Sequence, residues 1–409
     1  MNHGGNVWVT ENPSEWLDFS ANLRPEGPAQ WVTEVIRQSL DNIRYYPDPE
    51  MKQARKGIAR FLEIPEEYIL PTAGGAAAID LVTQLDGGCI FTLLPTFGEY
   101  TARAAIHGRK TAVWEGSCEP GDTLMVCNPN NPTGEVRTKE TLLAILTETK
   151  ACGGRLAVDE AFIEYCPEYS LRRNLQPGLI LLGSFSKILG TPGVRLGYIC
   201  AEPEIIERLR QKTLPWTPDT AATEIAAALP EHKEQIAAEC ELNRERRNLF
   251  RAQLQKLGAE VHPSEGNFLL VDFHRDMTAA AETLKARKIL VRTCTSFGLP
   301  ASFWRLAVKT EEENTRLIAA LEEILHVRQM SDDPGNSFLG WKKRSLQRIS
   351  PDPEAGRMES SSLQGAEYVP EFLCDEERPG NGPGAGDPGT GGGYGAGCAH
   401  ESCAAKADK

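Results

Sequence analysis

The chain has no long apolar run. No window of its 409 residues approaches the roughly 18 apolar residues that a membrane helix needs. Its first residues, MNHGGNVWVTENPSEW, carry neither a basic n-region nor an apolar h-region, so no secretory signal is expected there. Positive charge is short as well: 44 Lys and Arg stand against 57 Asp and Glu, a net charge of −13. That balance argues against a general nucleic-acid surface and against an anionic membrane surface. A phosphorylated ligand would have to meet a local cluster of arginines. The 11 cysteines fall singly between Cys89 and Cys403 with no spaced framework in the body of the chain, so reduced thiols in a cytoplasmic protein are expected. Internal repeats are absent. So is a P-loop, because the Gly-rich stretch TAGGAAA (72–78) is not followed by Lys-Ser or Lys-Thr.

What is present is an ordinary globular composition, 41% hydrophobic and 25% charged, in a chain long enough for more than one domain. Short apolar runs, CIFTLL (89–94), TLMVC (123–127), RLAVD (155–159) and LILLGSF (179–185), alternate with amphipathic segments such as KETLLAILTETKA. Strands alternating with helices predict an α/β fold with a mostly parallel central sheet. Thr310 with Glu313 forms a capping-box pattern before the apolar stripe Leu317, Ile318, Leu321, Ile324 and Leu325, which predicts a final helix. Apolar periodicity stops near residue 327, and ERPGNGPGAGDPGTGGGYGAG reads as a Gly/Pro-rich linker. The expected organisation is an N-terminal arm over 1–40, a large domain over 41–240, a smaller C-terminal domain over 241–327 and a disordered tail over 328–409.

In parallel sheets ligands gather beyond the carboxyl ends of the strands. Here those ends carry PTFGEY, NPNNPTG, DEAF and SKILGTPGVR, four clusters that point to one site. Lys187 emerges directly from an apolar strand, flanked by Ser184 and Arg195. By itself it reads as a solvated surface lysine; on the rim of an apolar cleft its pKa would fall and make it an amine nucleophile. A hydroxyl and a guanidinium beside such a lysine suit a phosphate-bearing carbonyl cofactor. Asp159 ends a strand that should be buried, where an ionised side chain is costly without a partner. It is either a strand-end cap or the counter-charge that keeps a pyridine nitrogen protonated. Glu160 beside it points the other way along the strand. Asn131 is a turn residue that could donate to a phenolic oxygen, and Phe97 or Tyr100 could stack on a ring. The backbone of Gly74, Gly75 and Ala76, opening a helix, could cradle a phosphate.

Taken together, SFSKILGTPGVRLGY, VDEAF and NPNNPTG resemble the fold-type I pyridoxal-phosphate enzymes of the aminotransferase class I/II group, over roughly residues 3 to 325. The resemblance implies pyridoxal 5'-phosphate attached to Lys187, with Asp159 on the pyridine nitrogen and Asn131 on the phenolic oxygen. Ser184, Arg195 and the Gly74–Gly75–Ala76 backbone would hold its phosphate. It also implies a homodimer in which Tyr46, in RYYPDP, reaches that phosphate from the second subunit. Within the group the resemblance divides between histidinol-phosphate aminotransferases and the threonine-phosphate decarboxylases of cobalamin biosynthesis. HGGN (3–6), LDFSANLRPEG (17–27), LPWTPD (214–219), LVRTC (290–294) and the Phe162 of DEAF side with the decarboxylases. Arg292 and Arg305 then match arginines that grip a small phosphorylated amino acid, with Asn22 and Arg24 assisting. Two departures bear on this. TAGGAAA offers mostly backbone donors, and ANLRP puts Arg24 near the expected substrate pocket.

The tail holds Cys374, Cys398, His400 and Cys403, ligand types that suit zinc or another soft metal, at a spacing that matches no standard finger. A metal-binding or partner-recruiting module and a disordered appendage are both open there.

Overall fold

The structure, a computed structural model, describes residues 4–9, 12–85 and 87–331 of the chain, with side chains described as far as residue 325. Strands β1 (Leu17–Asp18), β2 (Ile69–Thr72), β3 (Ile90–Thr92), β4 (Thr111–Val113), β5 (Thr123–Cys127), β6 (Arg155–Asp159) and β7 (Leu179–Ser184) occupy its first half. They are followed by β8 (Gly197–Cys200), β9 (Glu260–Val261), β10 (Phe268–Asp272), β11 (Ile289–Leu290), β12 (Arg292–Thr293) and β13 (Phe303–Ala307).

The central sheet has the order β2-β8-β7-β6-β5-β3-β4. Its strands are parallel from β4 through β7, and β8 runs antiparallel to both of its neighbours. The four apolar runs of the sequence are β3, β5, β6 and β7, and KETLLAILTETKA is the helix Lys139–Ala151, capped by Thr138, whose hydroxyl accepts from the Thr141 N–H at 3.3 Å. Both faces of the sheet are covered, as continuous apolar strands require. Leu124, Val126, Leu156, Val158, Leu179 and Leu181 enter the core on one face. The alternating Met125, Cys127, Ala157, Ile180 and Leu182 enter the core on the other. This period of two decides where the residues beyond each strand point.

A third core belongs to the smaller α/β part. There the sheet β12-β13-β10-β9 packs Leu269, Val271, Trp304 and Leu306 against Leu317 and Leu321 of the helix Glu311–Ser331. That helix begins with the expected capping box: Thr310 Oγ1 accepts from the Glu313 N–H at 3.2 Å, and Glu313 Oε2 accepts from the Thr310 N–H at 3.1 Å. The N-terminal segment is shared between cores. Leu17 and Phe19 join the smaller one, where β1 pairs with β11, while Val32 joins the large one. The helix Lys233–Lys256 also spans both, through Ile236 at one end and Phe250 and Leu254 at the other.

The expectation of reduced thiols throughout needs correction. Cys118 and Cys152 form a disulfide, with sulfurs 1.95 Å and Cα atoms 5.8 Å apart. Cys118 precedes β5 and Cys152 caps the helix that precedes β6. Parallel adjacent strands bring both to the same end of the sheet, although 34 residues separate them in sequence.

Candidate active site

A cavity of about 460 Å³ opens beyond the carboxyl ends of β5, β6 and β7 and is closed on the far side by residues of β12 and β13. Asp159, the last residue of β6, lies in it with 5% of its surface exposed. Its Oδ2 accepts from the Tyr100 hydroxyl at 2.7 Å and its Oδ1 from the Ala161 N–H at 2.9 Å. Burial raises its pKa, and these two hydrogen bonds, with Lys187 nearby, oppose the rise. Tyr100 is therefore no free stacking ring: it is fully buried and its hydroxyl is committed to Asp159. Phe97, half-buried, lines the cavity and meets Tyr100 edge-on at 5.8 Å. Glu160 turns to the opposite side. Its carboxylate accepts from Ser170 Oγ at 2.8 Å and the Leu171 N–H at 2.9 Å, and burial lifts its pKa to about 7.

Lys187 sits in the turn after β7 and also lines the cavity. Burial, then the positive charges of Arg305 and Arg195, bring its pKa down to about 8, with Asp159 pulling the other way. Such an amine is deprotonated in part near neutral pH, as nucleophilic attack on a carbonyl requires. Its own carbonyl accepts the Tyr165 hydroxyl at 3.4 Å and the Arg24 N–H at 3.2 Å.

Around the lysine stand donors suited to a phosphate. Arg195 donates to Ser186 Oγ at 3.3 Å and to the Pro192 carbonyl at 3.0 Å. Gly74 has φ of 84° and precedes the helix Gly75–Thr83; a Cβ there would come within 2.5 Å of Arg195 Nη2. Only glycine tolerates both that backbone and that close approach. Gly75, Ala76, Ser184 and Ser186 all line the cavity, and no side chain caps the helix that begins at Gly75. Its first N–H groups lack intrahelical partners and favour an anion.

The opposite wall carries the arginines. Arg305 is buried and donates to Asn131 Oδ1 at 2.7 Å and to the Ser20 carbonyl at 2.5 Å. Its Nε is buried with no hydrogen-bond partner among the described residues, and burial lowers its pKa to about 10. Because the Asn131 oxygen is occupied by Arg305, the amide NH₂ is the end left to donate. Arg292 is paired in register with Arg305 across β12 and β13. It donates to Ser296 Oγ at 2.7 Å and lies over the Phe297 ring at 5.2 Å. Two guanidinium groups directly across from one another repel, and an anion between them relieves the repulsion. Asn22, 3% exposed, lines the cavity with its Oδ1 buried and without a partner among the described residues. Phe162 is buried and meets Phe268 edge-on at 5.0 Å.

One expected substrate residue lies elsewhere. The Arg24 guanidinium pairs with Glu239 at 2.8 Å and donates to the Gly27 carbonyl at 2.6 Å, so it does not line this cavity. Glu239, on the helix Lys233–Lys256, captured it, which the string ANLRP could not reveal. Tyr46 is 77% exposed and stacks on Trp216 at 4.5 Å, also outside the cavity of its own chain. Cys374, Cys398, His400 and Cys403 lie outside the described residues. Conversely, Ser20, Ser186, Ser296 and Phe297 belong to the cavity without having been singled out from sequence. Ser186 had a signal, since it adjoins Lys187; the other three depend on chain crossings that no local pattern encodes.

An amine, a buried carboxylate, an aromatic face, an amide donor and a phosphate-sized ring of donors thus share one cavity, and the unpartnered Arg305 Nε and Asn22 Oδ1 leave room for ligand contacts. This donor set fits pyridoxal phosphate. Among curated proteins, the chain is 30% identical to threonine-phosphate decarboxylase of Salmonella typhimurium over 352 residues, covering 79% of this chain and 96% of that one. It is 28% identical to histidinol-phosphate aminotransferase of Methanocaldococcus jannaschii over 343 residues, covering 76% and 90%. Among solved structures, L-threonine-O-3-phosphate decarboxylase from Porphyromonas gingivalis superposes with a TM-score of 0.68 at 26% identity, covering 75% of this chain and 99% of that one. Histidinol-phosphate aminotransferase from Clostridium acetobutylicum gives a TM-score of 0.69 at 25% identity, covering 76% and 99%. Residues 14–321 match the family model for aminotransferase class I and II, and the chain belongs to that family of pyridoxal-phosphate-dependent enzymes.

Proposed function

We propose that the protein decarboxylates L-threonine O-3-phosphate to 1-amino-2-propanol O-2-phosphate, the linker precursor for cobalamin biosynthesis, with pyridoxal phosphate held in this cavity. The observation that carries the reading is the pair Arg292 and Arg305, in register across β12 and β13 on the wall facing Lys187. Phosphothreonine carries two anionic groups, a phosphate and a carboxylate. Histidinol phosphate has a phosphate and an imidazole but no carboxylate. Two guanidinium forks match phosphothreonine better than histidinol phosphate, because each binds an oxyanion in a bidentate and directional way; the glutamate of an amino transfer also carries two carboxylates, so the assay below separates the two readings.

The cofactor would be held by Lys187 at its carbonyl, Asp159 at its ring nitrogen, Asn131 at its phenolic oxygen, and Ser184, Arg195 and the start of the helix Gly75–Thr83 at its phosphate, with Phe97 on its ring. When bound, pyridoxal phosphate supplies an electron sink for the pair left on Cα as a bond there breaks. Which bond breaks depends on orientation, since the bond perpendicular to the ring is the one activated. Arg292, Arg305 and Asn22 would fix the substrate so that the bond to the carboxylate carbon takes that direction. Lys187, as its ammonium, would deliver the proton that Cα needs once CO₂ has left. Phe162, packed on Phe268, adds no hydroxyl to the site.

The same reading includes a homodimer, supported by the exposure of Tyr46 outside its own cavity, with Tyr46 serving the partner's cofactor phosphate. It also includes a cytoplasmic location. The likeness to histidinol-phosphate aminotransferases supports the second reading, amino transfer from histidinol phosphate. The test is direct. Purified holoenzyme is given L-threonine O-3-phosphate without any keto acid, and CO₂ and aminopropanol phosphate are measured. Glutamate formed from histidinol phosphate and 2-oxoglutarate, with no CO₂ from phosphothreonine, would replace the first reading by the second. Serine phosphate is run in parallel, because discriminating one methyl group is worth only ~1–3 kcal/mol.

A further inference from the structure

Ser20, Ala21 and Asn22 line the cavity, and the chain runs on through residues 23–27 against the turn that carries Lys187. The Ser20 carbonyl takes a hydrogen bond from Arg305 at 2.5 Å, and Asn22 presents its unpartnered oxygen nearby. On the other side the Arg24 N–H donates to the Lys187 carbonyl at 3.2 Å. Gly27 presses on the same turn so closely that a Cβ on Gly190 would lie 2.5 Å from the Gly27 oxygen. The segment is therefore in register with the substrate arginine and the lysine at once.

What holds it there comes from outside the cavity. Arg24 Nε pairs with Glu239 Oε2 at 2.8 Å, and Arg246 pairs with Glu26 at 2.5 Å. Glu239 and Arg246 both belong to the helix Lys233–Lys256, which spans the large and the smaller core. The Arg24 and Glu239 side chains keep only 17% and 12% of their exposure, which shelters the pair from the screening that weakens surface ion pairs. The Arg24 guanidinium also donates to the Gly27 carbonyl at 2.6 Å, so it braces its own loop.

We propose that Arg24 is a positioning residue. Paired with Glu239, it fixes residues 20–27 on the Lys187 turn and thereby sets how Asn22, Arg305 and Lys187 face a bound substrate. The proposal rests on Lys187 being the cofactor lysine of this cavity. Arg24 acts through its backbone and its loop, and its side chain meets neither cofactor nor substrate. A misplacement of about 1 Å in such a frame is enough to cost a large factor in rate.

The experiment uses holoenzyme of the wild type, Arg24→Ala, Glu239→Ala, the double variant and the charge-exchanged Arg24→Glu/Glu239→Arg. Three quantities are read: the thermal midpoint, the pH midpoint of the bound cofactor's absorbance band without substrate, and the dissociation constant for L-threonine O-3-phosphate from the change in that band. Each single variant is expected to displace the pH midpoint and to weaken phosphothreonine binding about tenfold, with the double variant no worse than either single one. Charge exchange should recover most of both. The proposal is overturned if the single variants lower the thermal midpoint yet leave pH midpoint and binding at wild-type values, or if their effects multiply. Arg24→Gln, which removes the charge but keeps a long polar side chain, gives the same comparison should an alanine variant not fold. If the wild type itself binds no phosphothreonine, the substrate reading falls, while the pH midpoint still decides the positioning role.

Discussion

Opening the Cys118–Cys152 disulfide should lower stability without touching catalysis. The bridge closes a loop of 34 residues that contains β5 and the helix Lys139–Ala151. In the chain-entropy account a loop of that length removes about 13 cal/mol/K from the unfolded chain, or about 4 kcal/mol at 25 °C. With an unfolding entropy of ~2.1 cal/mol/K per residue over the span 14–321, this corresponds to a fall of roughly 6 °C in melting temperature. The bridge lies at the amino ends of β5 and β6, and the cavity lies at their carboxyl ends. Five-residue strands put about 15 Å between the two. Cys118→Ser and Cys152→Ser should therefore each melt about 6 °C lower and keep wild-type turnover, whichever substrate proves right. Dithiothreitol should reproduce the shift in the wild type and do nothing further to the variants. Alkylation under denaturing conditions followed by mass measurement counts the bridge directly. Two alkylated thiols at Cys118 and Cys152 in unreduced protein, or a melting point indifferent to reductant, would refute the reasoning.

Lys187→Ala should abolish the covalent absorbance band of the cofactor and reduce turnover by more than about 10³-fold, measured on protein reconstituted with pyridoxal phosphate. Arg305→Ala removes a buried guanidinium that faces Arg292 and holds Asn131; kcat/KM for phosphothreonine should drop by roughly 10²–10³-fold, with thermal stability changed far less than ligand binding. Glu160 has its pKa raised to about 7 by burial. A carboxyl whose folded-state pKa is raised stabilises the fold at acid pH and loses that contribution as pH climbs from about 4.5 through 7, here about 3 kcal/mol in all. Glu160→Gln should flatten that decline in urea-unfolding midpoints measured from pH 4.5 to 8, and an unchanged slope would mean the carboxyl is not the group responsible.

Features set by local pattern were legible in the sequence, and features set by chain crossing were not. The buried parallel strands announced themselves as apolar runs, and the helix Lys139–Ala151 by its periodicity and cap. The edge strand β4 has all three of its residues exposed and so carried no apolar run, and the antiparallel direction of β8 leaves no mark in a buried string of four residues. The disulfide escaped notice for a related reason: Cys118 and Cys152 meet only because two adjacent parallel strands start at the same end of the sheet. Arg24 divides between the two kinds of feature. Its position in the chain placed its backbone beside Lys187, as the motif suggests, yet its side chain followed the nearer carboxylates of Glu26 and Glu239.

The pair Asp159 and Glu160 shows how far a strand's alternation carries chemistry. Both are buried acids one residue apart, and burial raises the pKa of each. Asp159 has the parity of Ala157, which places it on the sheet face that opens into the cavity, where Tyr100 and the Ala161 N–H hold its oxygens. Glu160 has the parity of Val158 and turns to the other face, where Ser170 and Leu171 supply the donors. A register slip of one residue would exchange them and put the carboxylate with no lysine partner into the cavity. The functional assignment of Asp159 is thus a consequence of strand register, and it stands or falls with the packing of Leu156 and Val158 on the opposite face.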